Sequence, residues 1–112
     1  MWKDNITLFS DVIEKESYGD RSNPYLALAY NNRGVEYKRR KQLDKAMADY
    51  EEAIKSDPNY YRSYLNRGNI HFDAGRDDEA LVNYDKVISL NDENQKALSA
   101  RGAIYAKRKQ YD

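Results

Sequence analysis

Apolar residues along this chain fall at spacings of three and four, in blocks separated by short polar breaks. That is the period of amphipathic helices. The first block is Ile6, Phe9, Val12 and Ile13, and it predicts a helix over residues 4 to 17 with Asp4 or Asn5 as its cap. Trp2 precedes the cap and is expected to fold back on that stripe. Gly19, Asp20, Ser22 and Asn23 then supply turn chemistry. Pro24 suits the first position of the next helix, with Asn23 as its cap.

From Tyr25 to about Arg40, helical spacing links Leu26, Ala27, Tyr30, Gly34 and Tyr37. A further helix is predicted from Leu43 to Ser56, with Ala46, Met47, Tyr50, Ala53 and Ile54 on one face. Asp57-Pro58 closes it, because the residue before proline is pushed out of the α region. The pattern then recurs. Tyr60 to Ala74 carry Tyr64, Gly68, His71 and Phe72, and Gly75 makes a turn. Asp77 is expected to cap a helix reaching Leu90 through Ala80, Leu81, Tyr84, Val87 and Ile88. Asn91-Asp92 stands where the earlier helix had Asp57-Pro58, and can still turn the chain. Residues 94 to 108 predict a last helix with Leu98, Gly102 and Tyr105. Lys109-Gln110-Tyr111-Asp112 matches Lys41-Gln42-Leu43-Asp44, so the sequence stops as another second-type helix should begin, and the last first-type helix is expected to lack its mate.

One stretch ties these blocks together. Asn32-Arg33-Gly34 returns as Asn66-Arg67-Gly68 and as Ala100-Arg101-Gly102, with the glycines 34 residues apart each time. A fixed period of that length predicts a solenoid of helix pairs. Glycine inside a helix costs about 1 kcal/mol relative to alanine. Its return at one position in every repeat predicts that a second helix crosses there and leaves no room for a Cβ.

These residues resemble the tetratricopeptide repeat (TPR) family, whose 34-residue unit is a helix-turn-helix. Counting from Ala27, Tyr61 and Gln95, the family's aromatic fourth position falls on Tyr30, Tyr64 and Leu98, and its small eighth position on Gly34, Gly68 and Gly102. The eleventh falls on Tyr37, His71 and Tyr105. In the second helix the matches are Ala46 and Ala80, Tyr50 and Tyr84, then Ala53 and Val87, with Pro58 closing the first repeat and Asp92 departing from the pattern. Arginine replaces the usual leucine at position seven in Arg33, Arg67 and Arg101. The resemblance implies an all-α fold, a right-handed α-solenoid of antiparallel helix pairs with about six helices. It divides the chain into a divergent half-repeat at 1–26, repeats at 27–60 and 61–94, and the first helix of a third at 95–112. It also places Tyr30, Tyr37, Tyr50, Tyr64, Tyr84 and Tyr105 at packing positions, so most of the eleven tyrosines are expected in helix contacts and not on a binding surface.

Charge narrows the partners. Nineteen basic residues balance nineteen acidic ones, which removes the usual electrostatic case for nucleic acid. The basic run Lys38-Arg39-Arg40-Lys41 is explained by its place at a helix C-terminus. No apolar run approaches the roughly 20 residues of a membrane span. The first residues show no signal peptide, and the cytoplasm is the default compartment. With no cysteine there is no disulfide or thiolate chemistry.

Catalysis has weak support and ranks last among the readings. His71 is the single histidine and lies at a packing position. Asp77, Asp78 and Glu79 sit in a first helical turn, where acids stabilise the dipole. No phosphate-cradling loop, metal-ligand spacing or activated serine is present, so neither cofactor nor metal is expected. Asn5-Ile6-Thr7 is a glycosylation sequon, a three-residue signal that carries little.

The resemblance implies instead a groove lined by the first-type helices. Its candidate residues are Asn31, Val35, Lys38 and Arg39, then Arg62, Leu65, Asn66, Asn69, Phe72 and Asp73, then Lys96, Ser99, Ala103 and Lys107. Asparagines there can satisfy the main chain of an extended peptide, and the basic excess favours an acidic one. The expected function is a non-catalytic scaffold binding a peptide or partner helix. Some family members clamp the terminal carboxylate of heat-shock chaperones. That clamp needs lysine, asparagine, asparagine, lysine and arginine where this chain has Asn31, Val35, Asn66, Lys96 and Ala100, so it is not expected here. Two other readings stand beside this one. The chain can be the soluble appendage of a membrane-bound, glycosyltransferase-like protein, or a spacer that self-associates head to tail through its terminal helices. The three arginines are read first as a structural ladder paired with acids on neighbouring helices, and second as ligand-binding residues.

Overall fold

The computed structural model describes residues 4–16 and 23–111, with side chains up to Lys109. Trp2, the turn residues Gly19, Asp20 and Ser22, and Asp112 lie outside the described residues. Six helices and no strand occur among the described residues: α1 (Asn5–Glu16), α2 (Pro24–Arg39), α3 (Leu43–Ser56), α4 (Tyr61–Asp73), α5 (Asp77–Leu90) and α6 (Gln95–Tyr111). The fold is all-α, as the periodicity and the resemblance imply. The chain divides into two units, 1–63 and 64–112, with the boundary inside α4.

In the first unit α2 packs against both α1 and α3. Asp4 caps α1, its Oδ1 accepting from the Thr7 backbone N–H at 2.8 Å. That bond holds the Asp4 carboxyl below the usual carboxylate range. Asn23 caps α2 by accepting from Tyr25 N–H at 2.9 Å, and Pro24 follows at the first helical position. The Asn23 amide also donates to Glu16 Oε2 at 2.9 Å, joining the end of α1 to the start of α2. The core here is Ile13, Leu26, Ala27, Ala29, Ala46, Tyr50 and Ala53. The crossing of α2 and α3 is tight. A Cβ on Gly34 would lie 2.7 Å from Tyr50 Cε1 and 3.2 Å from the Ala46 carbonyl oxygen.

In the second unit the same crossing recurs between α4 and α5. A Cβ on Gly68 would meet Tyr84 Cε1 at 3.0 Å and Asn83 Cβ at 3.1 Å. Tyr64, Leu65, Ile70, Ala80, Leu81, Tyr84, Val87, Ala97 and Ile104 are buried. Phe72 adds an edge-on contact to the Tyr84 ring, with centroids 6.4 Å apart.

The two helix-to-helix turns are copies of one another. Lys41 has φ 61° and Gly75 has φ 78°. Around them Gln42 N–H donates to Tyr37 O at 2.9 Å, and Arg76 N–H to His71 O at 2.8 Å. Both are the six-to-one bond of a Schellman ending with its left-handed residue. The closing bends also agree. Asp57 caps α3 at φ −148°, ψ 94°, and Asn91 caps α5 at φ −149°, ψ 91°. Asp57 Oδ1 accepts from Asn59 N–H at 3.0 Å, and Asn91 Oδ1 from Glu93 N–H at 3.3 Å. The turn therefore needs no proline, because the side chain before it organises the backbone.

Three expectations are corrected. Asp77 is the first helical residue of α5, not its cap; Arg76 occupies the cap position and makes no side-chain cap bond. α6 does not stop at 108 but runs on to Tyr111, through Lys109, the counterpart of Lys41 and Gly75. Among the described residues no helix crosses Gly102, where a Cβ would meet nothing within 4 Å, as the missing second-type mate of α6 implies. Tyr105 is half exposed for the same reason, and α6 packs on α5 through Ala97 and Ile104 instead.

Candidate peptide-binding faces

The candidate groove residues divide between the units. In the first, Val35 and Lys38 are half-buried on α2 and Arg39 is exposed. Arg39 is held by Glu36, one turn back, at 3.0 Å. Asn31 is only 3% exposed, and its Oδ1 accepts from Ser63 Oγ at 3.2 Å. The Tyr60 hydroxyl also bonds Asn31, and burial pushes that hydroxyl's pKa up. Asn31 is thus a buried junction of α2 with the start of α4, and Val35 and Lys38 are what this face turns outward. Tyr25 and Leu28 extend the same helical face and are exposed, Tyr25 by 70%. Leu28 is a position that periodicity could have supplied, since it lies seven residues before Val35.

Arg62, at the end of the first unit, is exposed. In the second unit Asp73 is exposed, Asn66, Asn69 and Phe72 are half-buried, and Leu65 is buried. Asn69 Oδ1 accepts from Tyr84 O–H at 2.7 Å. What Asn69 offers a ligand is therefore its amide N–H pair. On α6, Lys96, Ser99 and Ala103 are exposed. Lys107 is exposed too, but its ammonium lies 2.6 Å from Asp77 Oδ2, in the first turn of α5. Its neighbour Arg108 pairs with Asp78. The acids of that turn thus serve α6 as well as the helix dipole.

The three arginines of the ladder meet different partners. Arg33 donates Nε and Nη2 to the two oxygens of Asp49 at 2.8 and 2.7 Å, and Nη1 to Ser10 Oγ at 3.1 Å. The Asp49 bond, strengthened by charge, raises the arginine's already high pKa. Arg101 pairs with Asp85 of α5 at 3.1 Å. Arg67 meets no acid: its Nε donates to Asn83 Oδ1 at 2.7 Å. His71, the one candidate base, accepts from Arg76 Nε at 2.9 Å through Nδ1, which assigns that nitrogen as unprotonated. No group of three metal-ligating side chains exists among the described residues. No described helix is long and apolar enough to cross a membrane.

Models of the tetratricopeptide repeat match residues 27–60 and 49–82, and a TPR-repeat model matches 68–108. The chain belongs to the tetratricopeptide repeat family. A search of curated proteins found no match. Among solved structures, the first TPR of Spaghetti (RPAP3), bound to the HSP90 peptide SRMEEVD, is 27% identical at a TM-score of 0.70. That match covers 87% of this chain and 75% of the other. The second TPR domain of human RPAP3, in complex with the HSP70 peptide SGPTIEEVD, is 25% identical at a TM-score of 0.66, covering 87% of this chain and 81% of that one. MamA, 24% identical at a TM-score of 0.71, shares the TPR fold over 90% of this chain and 59% of its own.

Proposed function

We propose that this TPR chain is a non-catalytic interaction module that takes a peptide or a partner helix on the outward faces of its first-type helices. The observation that carries this reading is that two structural neighbours, at 27% and 25% identity, hold short acidic peptides. Here the supporting side chains are Lys38 on α2, Arg62 and Asn69 on α4, and Lys96 on α6; Arg62 and Lys96 are exposed, and Lys38 and Asn69 half-buried. They favour an acidic ligand. Asn31 is buried and Val35 is apolar, so the carboxylate clamp of chaperone-binding relatives is not part of this reading. Peptides selected on the wild-type chain from a random library should be acidic. They should bind at least about tenfold more weakly to Lys38→Glu/Lys96→Glu, a loss of about 1.4 kcal/mol. Equal binding by that variant overturns the assignment of these faces. Calorimetry with SRMEEVD should give no saturable heat at micromolar concentrations, and tight binding abolished by Lys96→Ala would restore the clamp.

A second reading, head-to-tail association of copies, is favoured by one feature. Gly102 is open and Tyr105 half exposed on a face of α6 whose counterparts on α2 and α4 receive a second-type helix. Sedimentation at high protein concentration tests it, and a strict monomer removes it.

A further inference from the structure

Arg33 and Arg67 occupy one repeat position, yet only the first is neutralised. All three nitrogens of the Arg33 guanidinium are used, two of them on a carboxylate that is almost fully buried. Thirty-four residues after Asp49 the chain has Asn83. That amide is 4% exposed and fixed, because its Nδ2 donates to Glu79 O at 2.8 Å while its Oδ1 accepts from Arg67 Nε. It supplies an acceptor and no charge. The outer edge of the Arg67 guanidinium, Nη1 and Nη2, bonds nothing among the described residues.

A second cation stands close by. Lys86 Nζ and Arg67 Cζ each lie 5.8 Å from the centroid of the Tyr64 ring. With Val82, which is 67% exposed, these groups line a depression of about 390 Å³. Asp85 is the acid in its wall, and it is already paired with Arg101. At 100° per residue, Tyr64 and Arg67 fall on the side of α4 opposite Arg62, Asn66, Asn69 and Asp73. On α4 the depression is therefore separate from the candidate peptide-binding residues.

We propose that this depression binds a carboxylate, the Asp or Glu side chain of a partner protein. Nη1 and Nη2 of Arg67 form the two-pronged donor that matches a planar carboxylate. Lys86 adds the second charge, and Val82 and the Tyr64 ring cover the methylene stem. The ligand supplies to Arg67 the acid that Asp49 supplies to Arg33. A phosphate dianion fits less well, because Asp85 in the wall repels the additional charge. The site does not depend on the proposed peptide-binding faces, and its failure would leave that reading untouched.

The test uses the full 112-residue chain, labelled with nitrogen-15, and follows the Arg67 Nε–H resonance. Acetylglutamate amide, inorganic phosphate and sodium chloride are titrated in parallel at constant ionic strength. The expected result is a saturable shift with the glutamate derivative in roughly the millimolar range, as for one charge-assisted pair at a surface. Asn83→Asp places the acid in the chain itself. It should weaken that binding at least about tenfold while the melting temperature holds or rises. Lys86→Gln should weaken it severalfold. A shift no larger than that given by chloride, or one that survives Asn83→Asp, overturns the site. Tighter binding of phosphate than of the glutamate derivative overturns the carboxylate assignment.

Discussion

The Cβ that Gly34 lacks would sit 2.7 Å from Cε1 of Tyr50, a fully buried ring. Neither atom can give way, because Tyr50 is enclosed and the Ala46 carbonyl closes the other side at 3.2 Å. Gly34→Ala should therefore destabilise the chain by about 1–3 kcal/mol, overpacking outweighing the better helix propensity. Gly102 occupies the same repeat position with nothing within 4 Å. There the same substitution should stabilise by up to about 1 kcal/mol. Urea melts of the two variants check the opposite signs.

Replacing Asp49 by asparagine should cost about 1.5–3 kcal/mol, the value of a hydrogen bond to a charged group. The pair is nearly buried, at 20% and 5% exposure, so screening by solvent is small. Arg67 already lives with an asparagine, and Asn83→Asp should not destabilise. Denaturant midpoints for the two exchanges should move in unequal or opposite directions.

Tyr50 and Tyr84 predict an alkaline transition. An unfolded tyrosine ionises near pH 10, and burial pushes both hydroxyls up to about 12. Between those values the unfolded chain has lost protons that the folded chain keeps. Stability is fully present below pH 10 and falls as pH rises from 10 to 12, by about 1.4 kcal/mol per pH unit for each tyrosine. Tyr50→Phe should flatten this loss at little cost at neutral pH, since the Tyr50 hydroxyl has no hydrogen-bond partner among the described residues. Tyr84→Phe forfeits the 2.7 Å bond to Asn69 and should cost about 1 kcal/mol.

The left-handed residues Lys41 and Gly75 close two equivalent turns. A residue with a Cβ pays about 1–2 kcal/mol in that conformation. Lys41→Gly should raise the melting temperature and Gly75→Ala should lower it, by calorimetry at neutral pH.

The helices were legible because their apolar stripes and caps are local. Ile13, Ala46, Tyr50, Ala80, Tyr84 and Val87 all lie where the period puts them. The glycine notches at 34 and 68 were legible as well, through repetition. Tyr105 is the exception for a physical reason: the period places it with Leu98 and Gly102 on a packing face, but burial there depends on a helix to receive them. The face that packs, Ala97 and Ile104, meets α5 of the preceding pair. The candidate faces suffered similarly. Nothing in the pattern says that Ser63 would claim Asn31, or that Asp77 would claim Lys107, because both depend on which side chains the crossings bring together. The missing acid beside Arg67 was visible as Asn83 in the sequence, but its meaning required the Arg33–Asp49 geometry.

The ties that fasten each helix pair share one more property. Arg33 to Asp49, Arg67 to Asn83 and Arg101 to Asp85 each span sixteen residues, and Tyr84 to Asn69 fifteen. Loops that short cost little entropy to close, and chains dominated by such neighbours collapse in microseconds to milliseconds. Each tie therefore closes at little entropic cost, while the stability of a helix pair still depends on the neighbour that covers its apolar face.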